Sequence, residues 1–267
     1  MTKEELLQRY AAGERDFTDI NLAGANLSGI DLRDAKLLGA NLNSADLSGA
    51  NLSSTDLRFA DLVDANLSGA NLFDADLSTA FLYTANLSGV NLKNAYLRGA
   101  YLSGADLSGA DLSDASLSEA DLSCVTVDGT RLGGLALSGV NLSSVNLINA
   151  DLSGANLSGA ILERVDLSEV DLSGFDLSGA NLSGASLYEA NLSKANLNKA
   201  NLSSARLNRA DLSHANLSNA DLSSADLSSA DLSGTDLSYA NLRGAYLVGV
   251  DLRSAKQLGT DLRGSYS

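Results

Sequence analysis

Proline is absent from all 267 residues, and cysteine and histidine occur once each. Proline removes a backbone donor, so a chain without it keeps every N–H free for ladder bonds between stacked segments. The lone Cys124 excludes a disulfide or a cysteine-based metal site within one chain. The lone His214 has no second histidine or cysteine with which to share a metal and no activated nucleophile beside it, so it reads as a solvated turn residue. No apolar run is long enough to span a bilayer, and the N-terminus lacks the charged-then-apolar pattern of a secretion signal. The expected compartment is therefore the cytoplasm. Basic residues are also scarce: 18 Lys and Arg against 33 Asp and Glu leave a formal net charge of −15. Nucleic acid, itself an anion, would be repelled. No G-x-x-x-x-G-K-[ST] string occurs to cradle a nucleotide phosphate.

What the chain has in abundance is one phrase. Residues 171–185 read DLSGFDLSGANLSGA, and the same five-letter frame runs through nearly the whole chain. A leucine recurs at every fifth position from Leu22 to Leu122, again from Leu132 to Leu252, and closes at Leu262. With Phe17, Val127 and Gln257 in the same register there are 50 centres, 47 of them leucine. Five residues of α-helix turn through about 500°, which scatters the leucines around the axis. A flat strand sends every second one to the opposite face. The chain must therefore bend once per repeat, so that each pentapeptide forms one short side of a coil. Each centre then points inward, together with the small residue two places earlier, such as Ala45 or Ala65. Of the 24 glycines, 22 lie two residues after a centre, the third position of a type II turn, where φ is positive.

The A(D/N)LXX phrase over residues 15–265 resembles the pentapeptide-repeat proteins. The resemblance implies an all-β fold, a right-handed quadrilateral β-helix of about 12 coils, with four pentapeptides per coil. Strands about 4.8 Å apart would make the coils roughly 60 Å long. Two segments are expected: residues 1–13 as a capping helix and 14–267 as a single solenoid. Thr2 and Glu5 form a capping-box pair and Gly13 suits a helix end, so a short helix should cover the first coil with Leu6, Leu7 and Tyr10. No helix of that kind opens in KQLGTDLRGSYS at the other end. Related proteins commonly dimerise there, which implies a homodimer through the C-terminal coil. The opening ELLQRYAAGERDF is similar to bacterial, especially cyanobacterial, members.

An enzyme is not expected, and neither a cofactor nor a metal is implied. Of the 26 aspartates, 20 stand immediately before a centre, so the repeat itself accounts for them. A core filled with leucine leaves no deep cleft for a small molecule. Repeated Asn-Leu-Ser triplets match the glycosylation acceptor only because the repeat spells them.

Two surfaces stand out. Phe59, Phe73, Phe81, Tyr83, Tyr96 and Tyr101 occupy outward positions on an otherwise Ser, Asn and Asp surface, and twenty residues separate Phe81 from Tyr101. They are candidates either for a protein-binding patch or for a stack that stiffens neighbouring coils. Asp151, Asp171, Asp211, Asp231 and Asp251 share a twenty-residue column and form a candidate acidic face, open to a basic partner or serving solubility alone.

The resulting expectation is a non-enzymatic scaffold for protein–protein recognition, with no membrane and no direct nucleic-acid contact. One alternative is an acidic mimic of DNA that binds a type II topoisomerase, as some relatives do. Its charge would be dilute, about one per 4 Å against one per 1.7 Å in duplex DNA. Another is an idealised or engineered repeat scaffold. An ice-binding surface would need ranks of threonine that are missing. Two irregularities remain: residues 124–137 (CVTVDGTRLGGLAL) depart from the phrase without losing count, and Phe175 takes an alanine slot. Val165 and Val170 precede it, so its ring is expected inside a locally widened coil.

Overall fold

The computed structural model describes residues 1–147 and 150–267. They fall into two compact units, Met1–Ala136 with Asn149–Ser153, and Leu137–Ile148 with Gly154–Ser267. Each is a right-handed quadrilateral β-helix. Its strands are reduced to single bridged residues, paired in parallel with the residue twenty places on. Asn51, Asn71 and Asn91 follow one another in this way in the first unit, and Asn181, Asn201 and Asp221 in the second. Twenty residues per turn is four pentapeptides, one to a side.

The pentapeptide succeeds because it gives each of its backbone donors a partner. The side from Ala45 to Gly49 and its neighbours show the scheme. The Leu47 N–H donates to the Asn66 carbonyl one coil on (2.7 Å), and the Gly49 N–H to the Ser68 carbonyl (2.9 Å). Asn66 donates back to the Ala45 carbonyl (2.9 Å), while Ala50 closes the turn onto the Leu47 carbonyl (3.0 Å). One donor remains, the Ser48 N–H, and the side chain of Asp46 accepts it at 3.0 Å. Aspartate or asparagine before the centre is thus a structural part: it is short enough for its Oδ1 to fold back onto the N–H two residues on. Asparagine adds a link between coils, as when Asn66 Nδ2 donates to Asp46 Oδ1 at 3.2 Å.

Leucine and alanine together make the core. Leu47, Leu67 and Leu87 are buried with Ala45, Ala65 and Ala85 in the first unit, as are Leu182, Leu202 and Leu222 with Ala180, Ala200 and Ala220 in the second. Each such leucine contributes on the order of 2 kcal/mol. The departures within 124–136 keep the pattern. Val125, Val127, Leu132 and Leu135 are buried, and Thr130 satisfies its hydroxyl on the Leu107 carbonyl at 2.7 Å.

The corners hold a finding that glycine spacing did not foretell. Positive φ is adopted there by polar, charged and aromatic residues as well as glycine, among them Phe59 (58°), Thr79 (58°), Arg164 (56°) and Tyr239 (61°). For branched or bulky side chains this conformation costs of order 1 kcal/mol or more, and the ladder bonds on both sides of the corner hold it in place. A bulky corner residue also occupies the space over the next coil. The His214 ring lies where a Cβ on Gly234 would be, and the Tyr239 ring does the same over Gly259.

Helix α1, Lys3–Ala11, carries the capping box, with Thr2 accepting from the Glu5 N–H and Glu5 from the Thr2 N–H. Leu6 is fully buried. Lys3 Nζ donates to the Ser28 carbonyl (3.0 Å) and Tyr10 Oη to the Arg33 carbonyl (2.9 Å), taking positions that an earlier coil's N–H groups hold elsewhere. Arg15 sits over the Tyr10 ring, 3.7 Å from its centroid. The expectation that Leu7 joins the cover is corrected: it is 38% exposed, because one turn of helix can direct Leu6 or Leu7 at the coil but not both.

Phe175 departs partly from expectation. Its turn is regular, with its N–H on the Leu172 carbonyl (3.1 Å) and its carbonyl accepting from Asn196 (2.9 Å), yet the residue is only half-buried. Val165 is fully buried and Val170 is half-buried. The coil does not swallow the ring whole.

Candidate functional site

Three of the six outward aromatics come together in the first unit. Phe81 and Tyr101 are bridged neighbours on one column, their rings stacked with centroids 5.3 Å apart and planes within 4°. Tyr83 joins from the same side, 5.7 Å from Tyr101 at 28°. Phe81 and Tyr101 remain 38% and 39% exposed. Phe59, Phe73 and Tyr96 are exposed too, but among the described residues no ring contact joins them to another aromatic. The four-sided register explains this. Phe73 lies two sides before Phe81, Tyr96 lies one side before Tyr101, and Phe59 closes the corner of a preceding side. Only a separation near a multiple of twenty aligns side chains.

The column of the stack reads Asp61, Phe81, Tyr101, Asp121, each residue bridged to the next. Val63 and Asp64 lie beside it, and Thr84 donates its hydroxyl to Asp64. Loss of solvent around Tyr83, then the charges of Tyr101 and Asp121, push its phenol above the ordinary value.

The acidic face divides between the units. Asp151 belongs to the first, bridged to Arg131, which is also bridged to Asp111 and pairs with its carboxylate at 3.4 Å. The N–H and hydroxyl of Ser153, with the charge of Arg131, hold the Asp151 carboxyl below its usual range. In the second unit Asp171, Asn191, Asp211 and Asp231 follow in register. Asn191 separates two carboxylates and donates Nδ2 to Asp171 Oδ1 at 3.0 Å. The N–H and hydroxyl of Ser173 draw the Asp171 carboxyl downward. Asp251 is gripped by its own Arg253 at 2.6 Å, which pulls its carboxyl to about 2.

That last arrangement recurs. Arg33 grips Asp31, Arg58 grips Asp56 and Arg263 grips Asp261, at 2.6 to 2.7 Å in each case. The string Asp-Leu-Arg makes it legible, since both polar residues flank one inward leucine on the same side of the coil. A second aromatic stack joins Tyr246 and Tyr266 (5.0 Å, 16°), with the same twenty-residue spacing that signals Phe81 and Tyr101. Val248 and Leu258 are exposed in the same unit. A polar cluster joins Tyr188, Glu189 and Arg209, with Arg209 2.7 Å from Glu189 and 3.1 Å from the Tyr188 hydroxyl.

Among the described residues no group of three His, Cys, Asp or Glu could hold a metal ion. Cys124 and His214 are exposed corner residues with φ of 57° and 59°. The depression lined by Glu163, Arg164, Ser183, Gly184, Ser203 and Ser204 is shallow, open and polar. Among the described residues no helix is long and apolar enough to cross a membrane.

Comparison with known proteins places this surface in a family. The pentapeptide-repeat model matches eight times, over residues 16–53, 50–89, 85–123, 128–164, 136–174, 166–203, 205–238 and 230–266. Among solved structures, HetL of the cyanobacterium Nostoc sp. strain PCC 7120, a pentapeptide-repeat protein involved in heterocyst differentiation regulation, is 35% identical. The match covers all of this chain and 94% of HetL, with a TM-score of 0.32. Rfr23 of the cyanobacterium Cyanothece 51142 is 34% identical over 48% of this chain and 97% of its own, with a TM-score of 0.37. QnrB1, a plasmid-mediated fluoroquinolone resistance protein, is 18% identical over 92% of each chain, with a TM-score of 0.32. No curated protein matches the chain in sequence. With its repeat frame matched by the family model almost from end to end, the chain belongs to the pentapeptide-repeat proteins.

Proposed function

We propose that this protein works without catalysis, as a scaffold that a protein partner recognises through the stacked Phe81, Tyr83 and Tyr101 of the first unit. The half-exposed stack carries the reading, because it lies among short polar side chains and presents the concentrated apolar area that partner binding draws on.

Imitation of DNA by the acidic residues has less support. Most aspartates serve as acceptors for a backbone N–H, and Asp31, Asp56, Asp251 and Asp261 each hold an arginine. The test is affinity capture from the source cell with the natural protein and with the Phe81→Ser/Tyr101→Ser variant, alongside thermal unfolding. The variant should lose the partner while stability falls by no more than about 1 kcal/mol per ring contact. Undiminished capture refutes the reading, and collapse of the fold would make the rings structural.

A further inference from the structure

We infer that the partner's contact with the aromatic stack is basic, an exposed arginine on an extended or loop segment; this rests on the recognition role proposed above. The argument is charge complementarity on one side of the coil. The column places Asp61 one rung before Phe81 and Asp121 one rung after Tyr101, with Asp64 at the adjoining corner. Across positions 21–24, 41–44, 61–64, 81–84, 101–104 and 121–124, which make up this side of the first unit, there is no lysine or arginine. The rings therefore lie between carboxylates, with no fixed cation on their own side to compete with an incoming one. The Tyr83 phenol is raised first by loss of solvent and then by the charges of Tyr101 and Asp121, so Asp121 lies near enough to act on the rings.

Arginine fits this pattern better than lysine. A guanidinium is planar, stacks on aromatic faces and can present a fork of N–H donors to a carboxylate in the same contact. An ammonium is more strongly hydrated and offers no flat surface to a ring. A purely apolar partner would gain from the rings but leave neighbouring carboxylates to be desolvated without compensation.

The experiment uses the full-length protein and three labelled peptides of about ten residues, alike except for two central positions that hold arginine, lysine or leucine. Binding is read by fluorescence anisotropy at physiological salt, where diffuse attraction to an acidic protein is screened. Four proteins are compared: the natural one, Phe81→Ser/Tyr101→Ser, Asp61→Asn/Asp121→Asn, and Asp211→Asn/Asp231→Asn as a control from the second unit. The arginine peptide should bind best. Affinity should fall about tenfold or more in both the ring and the Asp61/Asp121 variants, and stay unchanged in the control.

Equal loss in the control would show non-specific charge attraction and overturn the inference. So would equal or better binding of the leucine peptide that still depends on the rings, although that result would leave the recognition face standing. Absence of any ring-dependent binding by the arginine peptide overturns it as well. Failure of the recognition role itself reads out separately, as undiminished partner capture by the ring variant.

Discussion

Replacing Asn71 separates the two jobs of the residue before the centre. Its Oδ1 accepts from the Phe73 N–H at 3.2 Å and from Asn91 Nδ2 at 2.9 Å, while its own Nδ2 donates to Asn51 Oδ1 at 3.3 Å. Asn71→Asp keeps both acceptor roles and loses the one donated bond, the longest of the three. Asn71→Ala loses all three and leaves the Phe73 N–H without its side-chain partner. A hydrogen bond contributes about 0.5–1.5 kcal/mol net, so the aspartate variant should cost about 0.5–1 kcal/mol and the alanine variant about 2–3 kcal/mol. Asn51 and Asn91, the neighbours in register, are neutral, so the new carboxylate meets no like charge one coil away. Denaturant unfolding followed by far-UV circular dichroism measures both. An alanine variant as stable as the natural protein, or an aspartate variant that is the worse of the two, would refute the view that the side-chain oxygen completes the backbone bonding of each side.

Removing residues 1–13 takes away Leu6 and the donors on the Ser28 and Arg33 carbonyls, so sedimentation should show far more self-association than the parent's; unchanged behaviour would mean that α1 is not a cover. Phe175→Ala should cost about 1–2 kcal/mol in unfolding measurements, below the range for a fully buried phenylalanine, and a loss of 3 kcal/mol or more would contradict the half-buried placement. Lys256, Arg253 and Arg263 bring Asp236, Asp251 and Asp261 from 3.8 to about 2. A depressed carboxyl stabilises the fold above its unfolded value and loses that contribution as pH falls through the folded one. Replacing all three bases by methionine should therefore move the acid-unfolding midpoint upward, and an unmoved midpoint would show the pairs contribute nothing.

The period of five, the inward leucines and alanines and the helical cover could all be read from the sequence, because each follows from a side-chain pattern that only one backbone path satisfies. The corner conformation was legible only where glycine marked it. At Phe59 or Thr79 the residue type argues against positive φ, and the ladder that enforces it is a property of stacked coils. The same limit governs the candidate surfaces. Phe81 and Tyr101 were recognisable as stacked partners once four sides were assumed. Phe59, Phe73 and Tyr96 were close in sequence, but the corners turn them onto other sides. Phe175 was misjudged in degree, since the space available to a ring beside Val165 and Val170 depends on backbone adjustments that volume alone does not specify.

The equivalence of the four sides has a consequence for how such a surface can change. Within either unit, deleting one pentapeptide would leave every later leucine pointing inward and every corner a corner, so the interior would scarcely register the loss. The exterior would register it completely. Each later side chain would move a quarter turn about the axis, and Phe81 and Tyr101, brought together by a separation of twenty, would part if the deletion fell between them. Surface pattern and core are thus inherited separately: a change of five residues moves the later side chains to another side, a change of twenty returns them to their own, and the inward leucines stay in register either way.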